Sequence, residues 1–254
     1  MFDLPRIPTR TLNMTKPTDF LVDAWANGSK HNLISRYWYF LELHTLTCNQ
    51  CKAQNFVSAL EERFICQVND DGVTPTLLKS ELQNHFVPEQ HVPTTCDKCG
   101  AKDKTMTKKM VRLPPLLRVY IQRSDMTGLK KLANPVVFPF DDLDFGPYTL
   151  GMSERAEIAG RLSGHASEGF AVTPRYKLCA LVLHAGPSLH SGHYISFVRG
   201  DDNKWTRCDD TNIRTNCATD SSLQKAFGGE RFTPVQLFYA RVDREEEHRQ
   251  IYGR

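Results

Sequence analysis

Two Cys-x-x-Cys pairs constrain this chain more than any other feature. They are Cys48-Asn49-Gln50-Cys51 and Cys96-Asp97-Lys98-Cys99, with 44 residues between them. Each pair curls the backbone so that two thiolates point to one side, and two such knuckles supply the four ligands of a tetrahedral Zn²⁺. The long gap fits two antiparallel ribbons that carry the knuckles at their tips. Neither pair lies at a strand-to-helix junction of a βαβ unit, which argues against a redox dithiol. The expected ion is one structural Zn²⁺, closed to solvent ligands, holding together an extension whose own core is small. His85 and His91 lie between the knuckles and are alternative ligands in place of a cysteine; the other reading makes them surface residues.

The chain has 254 residues, enough for one large domain or two small ones. A net charge of +3, with both signs interspersed, gives no case for nucleic acid or an anionic membrane surface. No apolar run approaches the roughly 20 residues needed to span a bilayer. The opening residues MFDLPRIPTR lack the basic-then-apolar pattern of a secretory signal. Eight cysteines without such a signal point to a reducing compartment, cytoplasmic or nuclear.

Residues 1–17 read as an extended lead. Residues 19–25 fit a short helix with Thr18 as its N-cap and Asn27-Gly28 at its end. Strands are expected over 36–47, 56–68, 105–112, 117–122, 135–140 and 235–240. The apolar strand 117–122 is expected to be central and covered on both faces. Short helices are expected over 76–84 and 221–226. Residues 151–175, rich in Gly, Ser, Glu and Arg, read as an irregular surface insertion, and 243–254 as a charged, solvated tail.

Residues 193–198 and 204–208 are two β-rich runs around the turn Gly200-Asp201-Asp202-Asn203. With the turn centred on Asp201, Val198 faces Lys204, Ser196 faces Thr206 and His193 faces Asp209. Directly opposed residues have Cα atoms about 5 Å apart, so an imidazole meets a carboxylate. That is the base-and-orienter half of a nucleophilic triad. A slip of one residue puts Asp210 in place of Asp209. Four cysteines remain outside the knuckles. Cys179 and Cys208 read as core residues within strands, Cys66 as a strand-end residue and Cys217 as a loop residue. None opens a helix, where the macrodipole would activate a thiol.

Gly192-His193-Tyr194, then Trp205, then Asp209-Asp210, resembles the histidine box of the ubiquitin-specific proteases, papain-like cysteine deubiquitinases. Leu237-Phe238-Tyr239 resembles the strand that closes that domain. Leu113-Pro114-Pro115-Leu116-Leu117 through Gln122-Arg123 is similar to the family's LPxxL…LKRF strand, with Gln122 in place of Lys and Ser124 in place of Phe. The two knuckles match the zinc site of its fingers subdomain. The resemblance implies an α+β fold: a mostly antiparallel β palm with a zinc-ribbon fingers extension, in a papain-like architecture without most of its helical thumb. It implies a protease domain over 31–242, with fingers at about 44–112 and palm at about 113–242, after a lead over 1–30. It makes His193 the general base, Asp209 its orienter and Asp210 a helper. His184, Ser191, Gly192 and Tyr194 would line the groove for ubiquitin's tail, beside a mobile loop over 187–191. The family's N-terminal cysteine box has no counterpart here, so the nucleophilic Cys is expected to be absent. The implied activity is hydrolysis of isopeptide or peptide bonds after the C-terminal Gly of ubiquitin. The expected partners are ubiquitin or a ubiquitinated protein, and a chain or segment that supplies the thumb. The alternative is a zinc-stabilised pseudoenzyme that acts as a ubiquitin-binding or scaffold module.

Overall fold

A computed structural model describes residues 16–28, 32–226 and 232–244. In chain order the elements are α1 (Pro17–Gly28), α2 (Leu33–Trp38), β1 (Phe40–Cys48), β2 (Gln54–Glu61), β3 (Phe64–Gln67), β4 (Thr76–Leu77), α3 (Leu78–Phe86), β5 (Glu89–Val92), β6 (Lys104–Arg112), β7 (Leu116–Gln122), β8 (Val136–Val137), β9 (Leu143–Asp144), α4 (Met152–Arg161), β10 (Arg175–Ala185), β11 (His193–Arg199), β12 (Trp205–Asp209), β13 (Asn212–Ala218), α5 (Asp220–Ala226) and β14 (Thr233–Arg241). The fold is mixed α+β, and most strand pairs are antiparallel. No helix among the described residues is long and apolar enough to cross a membrane.

The chain forms two compact units that interleave along the sequence. Among the described residues, one comprises 16–28, 32–62, 85–115 and 145–174; the other comprises 63–84, 116–144, 175–226 and 232–244.

The first unit is built on a four-stranded antiparallel sheet in the order β2-β1-β6-β5. Its core joins Phe20, Leu21 and Trp25 of α1 to Leu41 and Leu43 of β1, Val111 of β6, Ile158 of α4 and Phe170. Burying side chains of this size stabilises by about 1.5–3 kcal/mol each. Arg112 is also fully buried. Its guanidinium donates to the carbonyls of Glu168, Ser35, Tyr39 and Arg36, and it lies 4.9 Å from the Trp25 ring centroid. A charge so deep persists because its donors are matched to acceptors.

Four expectations change in this unit. Residues 36–38 belong to α2 and not to a strand, because Asn32 caps that helix: Ser35 N donates to Asn32 Oδ1, and Asn32 N donates back to Ser35 Oγ. Thr18 lies inside α1, and its hydroxyl donates to Glu157 instead of capping. The span 56–68 divides at residues 62–63 into β2 and β3, which join different sheets. Residues 151–175 are not an irregular surface insertion. They hold α4, whose Gly151 N–H donates to Glu154 Oε2 and whose Arg155 and Ile158 are buried. Arg155 donates to the carbonyls of Leu150, Phe170 and Val172, which folds the following loop back onto the helix.

The second unit centres on an eight-stranded sheet. Its main path runs β13-β12-β11-β10-β14-β7-β3, and β9 pairs with β10. Along β7 the buried residues Leu117, Val119 and Ile121 alternate with partly covered Leu116, Arg118, Tyr120 and Gln122. One face is therefore sealed and the other only partly covered, short of the expected burial on both faces. Leu178, Leu181, Leu183, Ile195, Phe197, Trp205, Leu237 and Tyr239 complete the buried row. Tyr239 donates its hydroxyl to the Pro139 carbonyl at 2.8 Å. The strand expected over 135–140 shortens to β8, which pairs in parallel with β4; β4 in turn takes the first two residues of the helix expected over 76–84. Most of the lead over 1–17 and nearly all of the tail over 243–254 lie outside the described residues.

Candidate active site and metal centre

In the second unit, β11 and β12 form the expected hairpin with a shifted register. The observed pairs are Ser196 with Cys208, Phe197 with Arg207, Val198 with Thr206 and Arg199 with Trp205. The loop is centred on Asp202, not Asp201. Gly200 N donates to the Lys204 carbonyl, Asn203 N donates to the Gly200 carbonyl, and Asn203 takes a left-handed φ of 60°. The shift moves each pairing by two residues, an even number, so every side chain keeps its face. His193 and Asp209 are consequently diagonal neighbours on one face instead of direct partners. His193 Nε2 lies 2.5 Å from Asp209 Oδ1.

An ionised carboxylate only accepts, so His193 donates through Nε2 and its neutral form carries the lone pair on Nδ1. The hydrogen bond to Asp209, reinforced by the charges of Asp209 and Asp210, holds the His193 pKa above its ordinary value; burial and Arg207 act against this. The same bond, with help from Arg207 and Arg214, holds the Asp209 carboxyl below its ordinary range. Asp209 Oδ2 is also engaged, accepting from Arg207 Nη2 at 2.6 Å. Asp210 begins the turn into β13 with a φ of 49°. One ligating atom each from His193, Asp209 and Asp210 lies within 4.8 Å of the others.

The strand before the hairpin positions the other expected site residues. His184 pairs with Tyr194 across β10 and β11, their rings 4.8 Å apart. His184 is buried, and its Nδ1 accepts from Lys131 Nζ at 2.9 Å. A lysine can only donate, so the neutral His184 carries its proton on Nε2. Burial, then the charge of Lys131, lowers the His184 pKa. Lys131 also donates to the Gly186 carbonyl at 2.6 Å, where the loop over 186–192 begins. Gly192 closes that loop at a φ of 150°, with space for no side chain. Within the loop, Ser188 and Ser191 share a hydroxyl–hydroxyl bond of 2.8 Å.

The structure thus brings His193, Asp209 and Asp210 together, and His184, Gly192 and Tyr194 together. Arg207 and Lys131 are absent from the sequence reading. Arg207 was detectable, since it stands two residues before Asp209 and so shares its face in any strand. Lys131 lies 53 residues from His184 and has no local signal.

None of the cysteines is hydrogen-bonded to His193. Cys66 is buried, and burial pushes its thiol up to about 12. Cys179 donates to the Phe238 carbonyl, and burial pushes it up to about 11. Cys208 points to the sheet face opposite Asp209, its sequence neighbour. Cys217 is not in a loop, as expected, but in β13, where it donates to the Trp205 carbonyl.

In the first unit the two knuckles are near copies of one another. Cys48 N donates to the Ala53 carbonyl and Lys52 N to the Cys48 carbonyl; Cys96 N donates to the Ala101 carbonyl and Gly100 N to the Cys96 carbonyl. Lys52 and Gly100 each close the curl in the left-handed region, at φ of 60° and 76°. The Cys48–Cys99 and Cys51–Cys96 sulfur separations are both 3.6 Å, and all four sulfurs lie within 4.8 Å of one another. A tetrahedron with metal–sulfur bonds of about 2.3 Å has edges of about 3.8 Å, so the donor set fits a zinc ion. The backbone N–H of Cys51, then that of Gln50, holds the Cys48 thiol at about 6. His85 bonds to Glu42 and His91 to Asp103, so neither joins the cluster.

A family model described as ubiquitin carboxyl-terminal hydrolase matches residues 17–246. The chain belongs to that family. It is 26% identical over 234 residues to the probable ubiquitin carboxyl-terminal hydrolase creB of Aspergillus flavus, covering 88% of this chain and 28% of the relative. It is 28% identical over 192 residues to ubiquitin carboxyl-terminal hydrolase 27 of Homo sapiens, covering 72% of this chain and 41% of the relative. The chain therefore spans well under half the length of these relatives.

Proposed function

We propose that this chain carries the base-and-orienter half of a papain-like cysteine deubiquitinase centre, which cleaves after the C-terminal glycine of ubiquitin. The observation that carries the reading is the His193–Asp209 contact through Nε2, which leaves Nδ1 as the basic nitrogen. In this reading Nδ1 takes the proton of a thiol, and the thiolate attacks the carbonyl carbon of the scissile bond. The imidazolium then protonates the leaving amine, and water releases the acyl group with His193 again as base. Asp209 holds the ring orientation throughout, while Asp210 adds negative charge beside the imidazolium. His184, Ser191, Gly192 and Tyr194 line the approach for the ubiquitin tail. None of the eight cysteines serves as nucleophile; the thiol comes from polypeptide outside these 254 residues, in the same chain or another. The protease domain runs over 31–242, with a fingers part held by one structural zinc on Cys48, Cys51, Cys96 and Cys99. The partner is ubiquitin or a ubiquitinated protein.

A ubiquitin probe ending in an electrophile tests this reading on two samples. The 254-residue chain alone should remain unlabelled. Labelling that disappears in Cys66→Ala or Cys217→Ala would show that the nucleophile lies within the chain. In the longest natural product that contains these residues, labelling and turnover should occur and should be lost in His193→Ala. Turnover that survives this change would overturn the role given to His193.

A further inference from the structure

The His193–Asp209 contact lies beyond the ladder that joins its two strands. Pairing between β11 and β12 begins at Ser196 with Cys208, and neither His193 nor Asp209 has a backbone partner in the other strand. Asp209 is the last residue of β12, immediately before the left-handed turn at Asp210. A carboxylate placed there can rotate about its own side-chain bonds, and a single contact leaves the plane of the group free. Arg207 supplies the second contact. It shares the face of Asp209 by strand alternation, and its Nη2 holds Oδ2 at 2.6 Å while Oδ1 holds the imidazole. Arg207 also stands directly opposite Arg214 of β13. Like charges so placed repel, and the Asp209 carboxylate offsets them.

Resting on the reading of His193 as base, we propose that Arg207 is a positioning residue: by fixing the second oxygen of Asp209, it keeps His193 in the tautomer that presents Nδ1 as the base. The electrostatics agree. Asp209 and Asp210 favour the imidazolium, and Arg207 opposes them, toward the neutral imidazole that a base must be. The interaction uses one guanidinium nitrogen, so a lysine retains the function and an uncharged side chain does not.

Nitrogen-15 spectra of the His193 imidazole in the 254-residue chain test this without requiring turnover. In the neutral wild-type ring, Nε2 should appear protonated and Nδ1 unprotonated. In Arg207→Met both signals should move toward the averaged positions of a ring that exchanges tautomers; in Arg207→Lys they should stay. Arg207→Gln, which keeps most of the stem, repeats the test if the methionine variant fails to fold. Wild-type tautomer signals in the folded uncharged variant would overturn the proposal. Asp209→Ala separates this from the underlying reading, because asparagine would keep an oxygen that accepts from Nε2. If Asp209→Ala releases the tautomer and loss of Arg207 does not, only the role of Arg207 fails. If neither change moves the ring, the His193–Asp209 assignment fails with it.

Discussion

A Cβ on Gly192 would lie 2.4 Å from His184 Nε2 and 2.2 Å from the Ala185 carbonyl oxygen. At a φ of 150° the backbone there is also one that only glycine adopts freely. The loop over 186–192 therefore closes on itself only because this position has no side chain. Gly192→Ala should cost on the order of 3 kcal/mol and displace the His184 and Tyr194 ring signals. His190→Ala, on the exposed part of the same loop, should do neither. Thermal unfolding and ring proton spectra check both.

The Asp209 bond to His193 has a sign that can be read by titration. It raises the His193 pKa, so the pair's contribution to stability is fully present below the ordinary histidine value and is lost as pH rises through the raised one. Asp209→Asn should bring the His193 pKa down toward that of an ordinary histidine. An unchanged or higher midpoint in a proton-detected titration would contradict the contact.

Glu42 is a second titration test, in the first unit. Burial opposes its charge, but hydrogen bonds from His44 and His85, at 3.1 and 2.8 Å, outweigh burial and bring its carboxyl to about 2. Its contribution, about 3 kcal/mol at 1.36 kcal/mol per pKa unit, is present above the unfolded value near 4.5 and is lost as pH falls toward 2. Urea denaturation between pH 6 and pH 3 should show wild type losing about 2 kcal/mol of this increment, the rest being lost nearer pH 2. Glu42→Gln should lack that part of the pH dependence.

Cys48, Cys51, Cys96 and Cys99 should hold one zinc ion per chain. Elemental analysis after gel filtration should return that ratio, and Cys96→Ser should reduce it severalfold. A strong chelator should lower the unfolding temperature of wild type and leave the serine variant nearly unaffected.

Arg112 fills its pocket by donating to four different carbonyls. Arg112→Ala should cost about 3–5 kcal/mol, because it leaves buried carbonyls without a donor and opens a cavity. Arg112→Lys should recover little, since an ammonium cannot reproduce the planar fork. The unfolding temperatures of the two variants should fall close together.

The legible parts of this molecule were those with a local rule. The knuckles follow from a two-residue spacing, and the hairpin follows from a turn between two β-rich runs. Its register did not, because the turn could be centred on Asp201 or Asp202; the His–Asp relationship survived because two residues is a whole period of a strand. α2 was lost to the aromatic weight of Arg36-Tyr37-Trp38, although Asn32 and Ser35 carry its capping signal three residues apart. α4 was lost because a principal buried side chain on it, Arg155, is charged, and only the carbonyls of Leu150, Phe170 and Val172 make that burial tolerable. Lys131 and His184 meet through tertiary structure alone.

The strand order also bears on how the molecule can be made. β14 lies between β7 and β10, so it joins the β7-β3 part of the sheet to the β10-to-β13 part. During synthesis those parts emerge first, each with an open edge waiting for residues 233–241. The second unit cannot complete its sheet until those residues are in place. A ribosome stalled before Thr233 would hold a hairpin with His193 and Asp209 on a sheet that still lacks the strand joining its two parts.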